Sequence, residues 1–471
     1  MWHGAIYPPN MLGIGAREPD PSRAGSEVRM SVHLARGTRD FLPDEAAHRH
    51  HVIGQLQEVF ARHGFEPLET PAFERIETLT GKYGDEGQKL MFKILKRGAG
   101  SERGECDLAL RYDLTVPLAR VIAMNPGLRM PFKRWQAAPV WRAERPARGR
   151  FREFWQCDAD IVGSTEPLAD AQCVAVAVDA LQTLGFQRFT VRLNDRRLLA
   201  ALARGAGAVG PLEIKLLITL DKLDKIGRDG VDSSMAELGL GEERRGRVWQ
   251  ILDLSGDNDT ILDGMEAGLS GGSVSEAIAS LRAVLELAEA LGVEPDQLRI
   301  DPTLARGLDY YTGPVFELVV EEPRIGSIAG GGRYDDLVGI FGKKAVPAVG
   351  VALGLERILI VMQELDMFGP RTDTATVMVA VYDEALRLEA TRVATALRRA
   401  AVHTDLFVGS GSLRSQLKHA HAKAIPWAVI VGPDEAAAGL LGLKEMATGE
   451  QETLTLDEAI ARVQAYERRG S

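Results

Sequence analysis

Cysteine is scarce: Cys106, Cys157 and Cys173 are the only three in 471 residues, with no CxxC pair and no histidine nearby at zinc-ligand spacing. An odd, scattered set excludes a disulfide framework and a zinc ribbon, and points to a reducing, cytoplasmic compartment. Long apolar runs are also missing. None approaches the roughly 20 residues that cross a bilayer, so no membrane segment is expected. The first 29 residues hold Pro, Gly and Arg without hydrophobic period, lack the apolar centre of a secretory signal, and read as a disordered tail, residues 1–30. Basic charge is in deficit, 56 Lys and Arg against 66 Asp and Glu for a net charge of −10, which argues against nucleic-acid binding by bulk charge but leaves local basic patches open. His48, His50 and His51 lack the i, i+4 spacing of a helical metal site and read as a solvated helix face, so no structural metal is expected.

What is present suits a soluble protein of two or three domains: 45% hydrophobic and 26% charged residues over a length sufficient for a sizeable core. From Pro43, Asp44 and Glu45 onward, Val52, Ile53, Leu56, Val59 and Phe60 recur at helical spacing until Gly64. Residues 65–73, broken by Pro67 and Pro71, read as extended, and residues 108–115 as a strand. Residues 132–142 and 151–162 read as an antiparallel hairpin around Pro146 and Gly149. Alternation along its second strand sets Arg152, Phe154, Gln156, Asp158 and Asp160 on one face. Residues 167–184 form a core helix, and about 195–300 is a helix-rich insertion with glycine breaks. Strand character returns at 315–321 and near Ile328. A linker at 367–373, with Gly369 and Pro370, precedes alternating strands and helices over 374–471, which implies a smaller α/β domain.

Three patches carry chemistry. The run from Arg142 to Arg152 sets Arg145, Arg148 and Arg150 on a loop, and arginine forks suit bidentate phosphate binding, with Phe154 offering a flat face to a base. Read alone, a charge run of this kind is more often a solvated charged hairpin. Residues 347–358, PAVGVALGLERI, combine small residues with Arg357 near a helix start, where the dipole favours phosphate; tight strand-to-helix packing accounts for them as well. Residues 306–313 (RGLDYYTG) and 329–339 (AGGGRYDDLVG) bring Arg306, Tyr310, Tyr311 and Tyr334 beside a glycine run that, taken singly, is a turn.

Together these patches resemble class II aminoacyl-tRNA synthetases. The segment with Pro71 is similar to motif 1, the Arg142 hairpin to motif 2, and GLER at 354–357 to motif 3. The two tyrosine-bearing stretches, with RGTRDFLP at 36–43 and LRYDLTVPLAR at 110–120, resemble the histidyl-tRNA synthetase family within that class, from about residue 31 to the end. The resemblance implies an α+β catalytic core, residues 31–366, on a mainly antiparallel six-stranded sheet. It also implies a C-terminal α/β anticodon-binding domain, residues 374–471, and a homodimer. The substrates it implies are L-histidine, ATP with Mg2+, and tRNA(His). Carried over residue by residue, Arg142 and Arg306 serve the α-phosphate, Arg357 the γ-phosphate, Phe154 the adenine and Glu144 the nucleotide. Asp160 and Tyr311 serve the imidazole, Asp113, Thr115 and Gln156 the α-amino group, and Tyr310 and Tyr334 the pocket wall. Asp113 and Asp160 stand where some members carry glutamate. Arg145, Arg148, Arg150 and Arg152 are candidates for the tRNA acceptor end, and Arg414 and Lys418 for the anticodon. The rival reading is the regulatory subunit of ATP phosphoribosyltransferase, which shares the catalytic fold but does not charge tRNA. The patterned segment 374–471 and the retained arginines argue against it.

Overall fold

Proline at the first position, Asp44 and Glu45 in the first turn and an apolar stripe at helical spacing give a helix at Pro43–Arg62, which buries Val52, Leu56, Val59 and Phe60. The computed structural model describes residues 32–80, 90–305, 310–342, 344–368 and 375–470. The expected N-terminal tail, Arg306 and most of the expected linker lie outside them. Of the three histidines on this first helix, His50 and His51 are exposed, and His48 stacks on Phe368 with ring centroids 4.0 Å apart.

In chain order the strands of the larger unit are β1 (Glu66–Pro67), β2 (Phe73–Arg75), β3 (Lys93–Leu95), β4 (Cys106–Leu110), β5 (Phe132–Trp141), β6 (Glu153–Val162), β7 (Phe189–Asp195), β8 (Leu298–Ile300), β9 (Pro314–Val320), β10 (Ser327–Arg333) and β11 (Ala348–Gly354). They form an eight-stranded sheet, ordered β1-β5-β6-β11-β10-β9-β7-β8, and a three-stranded sheet, β2-β4-β3. The expected sheet of six strands is thereby corrected. The run from β5 to β7 pairs antiparallel throughout, but β1 adds to β5 and β8 to β7 in parallel, making the sheet mixed. Both edge strands are two or three residues long, too short to carry a periodic signal.

The expected strand at 108–115 is corrected as well. It ends at Leu110, and Thr115 opens the helix Thr115–Met124, whose first turn is capped by Asp113 Oδ1 accepting from the Val116 N–H at 3.0 Å. Arg111, between the two elements, donates to Pro139 O (2.8 Å) and Thr70 O (2.7 Å) and ties the extended segment after β1 to β5.

One face of the large sheet, carrying Cys157, Ala159, Ile161, Val349, Val351 and Phe316, is sealed into the main core together with the helices Pro43–Arg62, Pro167–Thr183 and Gly272–Ala290. Period-two alternation therefore turns Gln156, Asp158 and Asp160 to the opposite face. Between β7 and β8 the chain is helical, running from Arg196–Gly205 to Gly272–Ala290 with glycines at several breaks.

Beyond residue 375, β12 (Val377–Ala380), β13 (Thr404–Leu406), β14 (Trp427–Ile430), β15 (Leu441–Glu445) and β16 (Gln451–Leu454) form a second sheet, ordered β13-β12-β14-β15-β16. The first three pair in parallel through crossover helices, as the alternating pattern predicts; β15 and β16 add antiparallel. On the helix Leu413–Ala422, Arg414 and Lys418 are exposed while Gln416 and Ala420 are buried.

Candidate active site

The site grows from the register of four strands. Arg134, Asp160, Gly350 and Gly332 stand directly opposite one another across β5, β6, β11 and β10; so do Gln136, Asp158, Ala352 and Gly330 in the next row, and Ala138, Gln156 and Gly354 in the third. Side chains of β5 and β6 thus rise as a polar wall beside a floor of glycine and alanine. The floor is obligatory at Gly350, where a Cβ would come within 2.0 Å of Asp160 Oδ1. The glycines of AGGGR are strand residues, not a turn; their lack of side chains leaves room above the sheet, and Gly331, on the reverse face, makes way for the Phe316 ring.

Within the wall, Arg134 is fully buried, its Nη2 2.8 Å from Asp160 Oδ2 and donating to Leu114 O at 3.2 Å. Tyr334 OH donates to Asp160 Oδ1. Burial raises the Asp160 carboxyl above the usual range despite Arg134 and the tyrosine, and raises Asp158 further, with Asp160 and Asp113 adding repulsion. Gln156 Oε1 and Asp158 Oδ1 are buried acceptors with no hydrogen-bond donor among the described residues, whereas Asp160 Oδ2 has only its ion pair with Arg134. Leaving such atoms unpaired is costly, so two in line on one strand face, beside a third carboxylate, are the signature of a site built for an N–H-bearing ligand. Tyr310 lies between Tyr311 (centroids 4.5 Å apart) and Tyr334 (6.0 Å), and burial pushes its hydroxyl well above the ordinary range.

Arg142 follows β5. Its Nε donates to Tyr112 O at 3.2 Å, and its guanidinium lies 4.4 Å from the Tyr112 ring and 5.0 Å from the Phe154 ring. Arg357, in the first turn of the helix Leu355–Glu364, donates through Nε to Gly149 O at 3.3 Å and through Nη1 to Ser327 O, so the motif-2 loop, β10 and motif 3 meet at one guanidinium. Of the loop arginines, Arg145, Arg148 and Arg150 are exposed, Arg148 pairing with Glu364 and Arg150 standing 3.9 Å from Glu144. Arg152 is half-buried, donates to Glu144 O (3.1 Å) and Arg36 O (3.4 Å), and packs against Gly37.

Two residues that sequence reasoning missed support this frame. Arg134 is one. Glu356, beside Arg357, is the other: buried, it accepts from Arg49 Nη1 and from the Trp155 N–H, each at 2.9 Å, and so bolts motif 3 to β6 and to the first helix. Burial raises its carboxyl despite Arg49. Around it, Arg49 lies 3.9 Å from the Phe41 ring, and Arg39 sits between Phe41 and Phe151, which explains the aromatic and basic residues of RGTRDFLP. Glu356→Gln loses the charge and one of the two acceptors, setting an amide N–H against either the Arg49 guanidinium or the Trp155 N–H, and is expected to lower unfolding free energy by about 1–3 kcal/mol in urea titration; an unchanged midpoint would deny the clamp.

The family described as histidyl-tRNA synthetase matches residues 37–358, and the anticodon binding domain family matches residues 376–466. The chain is 43% identical to a histidine–tRNA ligase of Gloeobacter violaceus, over 90% of this chain and 96% of that one, and 44% identical to a histidine–tRNA ligase of Aeropyrum pernix, over 91% and 97%. A crystal structure of histidyl-tRNA synthetase from a Nostoc species superposes with a TM-score of 0.78 at 28% identity, covering 93% of this chain and all of that one. A Bacillus halodurans structure described as an ATP phosphoribosyltransferase regulatory subunit/histidyl-tRNA synthetase shares the fold at a TM-score of 0.68 and 22% identity. With a family match over most of its length and relatives above 40% identity along nearly the whole chain, this protein belongs to the histidyl-tRNA synthetase family, class II enzymes that ligate histidine to tRNA.

Proposed function

We propose that the polar wall of β5 and β6 holds L-histidine, and that Arg142, Arg306 and Arg357 align ATP for attack of the histidine carboxylate on the α-phosphate. The observation that carries this reading is the line of Gln156, Asp158 and Asp160 over a glycine floor, with Gln156 Oε1 and Asp158 Oδ1 unpaired among the described residues. In it, Asp160 and Tyr311 receive the imidazole, Tyr310 and Tyr334 wall it in, and Asp113, Thr115 and Gln156 receive the α-ammonium. A closed site that pairs every N–H rejects amino acids lacking them. Phe154 stacks on adenine, Glu144 contacts the nucleotide, and magnesium enters with the triphosphate as part of the substrate.

Phosphoryl chemistry of this kind needs alignment and charge neutralisation above all, which fixed arginines supply without reorganising. Pyrophosphate leaves, and a terminal ribose hydroxyl of tRNA(His) then attacks the adenylate carbonyl. Arg145, Arg148, Arg150 and Arg152 approach the acceptor end, and Arg414 and Lys418 the anticodon. We further read residues 31–366 as the catalytic core with its helical insertion at about 195–300, residues 374–471 as the anticodon-binding domain, the assembly as a homodimer, and the location as cytoplasmic. Among the described residues no helix is long and apolar enough to cross a membrane.

The test is pyrophosphate exchange into ATP with each of the twenty amino acids. Exchange with histidine alone is expected; exchange with none would move the reading to the regulatory subunit, against which the match at 376–466 already argues. Removing residues 374–471 is expected to spare much of the exchange and to abolish most tRNA charging, since the first step uses none of those residues. Loss of both together would contradict the division of labour.

A further inference from the structure

The resemblance accounts for Gln156 and Asp160 but gives no task to the residue between them. Asp158 is 2% exposed, its Oδ1 has no donor among the described residues, and nothing on the strand beside it fills the space: its neighbours on β11 and β10 are Ala352 and Gly330. Both of those keep partial exposure, as does Gly354 in the next row, so the volume above Asp158 opens outward. On its other side, Gln136 is engaged with Thr70, donating through Nε2 to Thr70 Oγ1 at 3.1 Å. Among the described residues, the charges facing Asp158 are Arg134, Arg142 and Arg111 against Asp160 and Asp113. Three carboxylates, Asp113, Asp158 and Asp160, therefore share a buried wall in which, among the described residues, the two buried cations are already engaged, Arg134 2.8 Å from Asp160 and Arg111 on the carbonyls of Pro139 and Thr70. A wall of that composition is completed by one more compact cation with several N–H donors.

We propose that Asp158 is a further binding residue for the amino-acid substrate, its carboxylate accepting a hydrogen bond from the α-ammonium alongside Gln156 Oε1 and Asp113. The step is binding only; no bond to carbon, oxygen or phosphorus is made or broken at Asp158. An ammonium offers three N–H groups, and Gln156 and Asp158, alternate residues on one strand face, stand about 7 Å apart along the strand, a separation that one ammonium held between the two side chains bridges. The inference rests on the reading of this wall as the histidine site. It also accounts for the cost of keeping Asp158 there: burial raises its carboxyl well above the ordinary range, and the arriving ammonium stabilises the ionised form.

The experiment uses the full chain and three ligands, with affinities from competition against histidine-dependent pyrophosphate exchange. Histidinol keeps the imidazole and ammonium but lacks the carboxylate; imidazole-4-propionate keeps the imidazole and carboxylate but lacks the ammonium. Asp158→Asn is expected to weaken histidine and histidinol by on the order of tenfold to a hundredfold, the worth of a charge-assisted hydrogen bond, and to leave imidazole-4-propionate unchanged. The variant should melt no lower than the parent, because a buried carboxyl of raised pKa is replaced by an isosteric neutral amide. Equal weakening of all three ligands, or of none, overturns the proposal; the first result would mean that Asp158 merely supports Arg134. Asp160→Asn separates the two levels. If it weakens every imidazole-bearing ligand while Asp158→Asn fails to discriminate, the site stands and the inference falls. If neither substitution affects any ligand, the histidine site lies elsewhere and both fall.

Discussion

Replacing Arg142 with glutamine is expected to slow histidine-dependent pyrophosphate exchange by on the order of a hundredfold to a thousandfold, with histidine affinity nearly unchanged. The argument is one of preorganisation. Arg142 is held by its own Nε on Tyr112 O, and its guanidinium is set between the Tyr112 and Phe154 rings. In the proposed role, a guanidinium fixed in that way meets charge developing on the α-phosphate without the cost of rearrangement. The proposed site for the amino acid lies along Gln156, Asp158 and Asp160, whereas Arg142 follows the far end of β5, where Val140 and Trp141 pair with Phe154 and Glu153. Its loss should therefore appear in kcat, while the KM for histidine stays near the parent value. Arg142→Lys restores charge without the planar fork and should recover only part of the rate. A rise in the KM for histidine matching the fall in kcat would remove Arg142 from the transition state.

The parts of this enzyme that could be read in advance are those with a period. The hairpin of β5 and β6 is ten residues a side, and strict alternation in EFWQCDADIV puts acids and amide on one face and Cys157, Ala159 and Ile161 on the other, as observed. The crossover helices and parallel strands from β12 to β14 were legible for the same reason. The glycines of β10 were not: glycine has no strand preference of its own, and Gly330 to Gly332 become a strand through pairing with β9 and β11 on both sides. Arg134 sits in FKRWQ, where nothing marks it as buried; only the register opposite Asp160 turns it inward. Glu356 was overshadowed by Arg357, because a buried clamp to Arg49 and the Trp155 N–H joins segments about 200 and 300 residues apart, a coupling no local pattern carries.

Arg134 bears the second large expectation. Arg134→Met fills a similar volume but strips the wall of the cation paired with Asp160, leaving that carboxyl buried with only the Tyr334 hydroxyl and weakening the compensation of Asp158, and should cost about 3–5 kcal/mol at neutral pH. The pH dependence fixes the cause. Both carboxyls already titrate above the usual range in the folded chain, and in both Arg134 is the main influence holding them down. A carboxyl whose folded pKa exceeds its unfolded one leaves stability intact below the unfolded value, and stability falls as pH rises toward the folded value. Removing Arg134 raises the folded values further and extends that window upward. The variant's Tm should accordingly lie well below the parent's at about pH 8, and the gap should narrow on acidification toward about pH 5, as the two carboxyls take up protons and the buried charge disappears. A deficit that is the same at both pH values would locate the damage in packing around Leu114, whose carbonyl Arg134 also holds. A deficit that grows on acidification would mean that the carboxylates were not what Arg134 was there to balance.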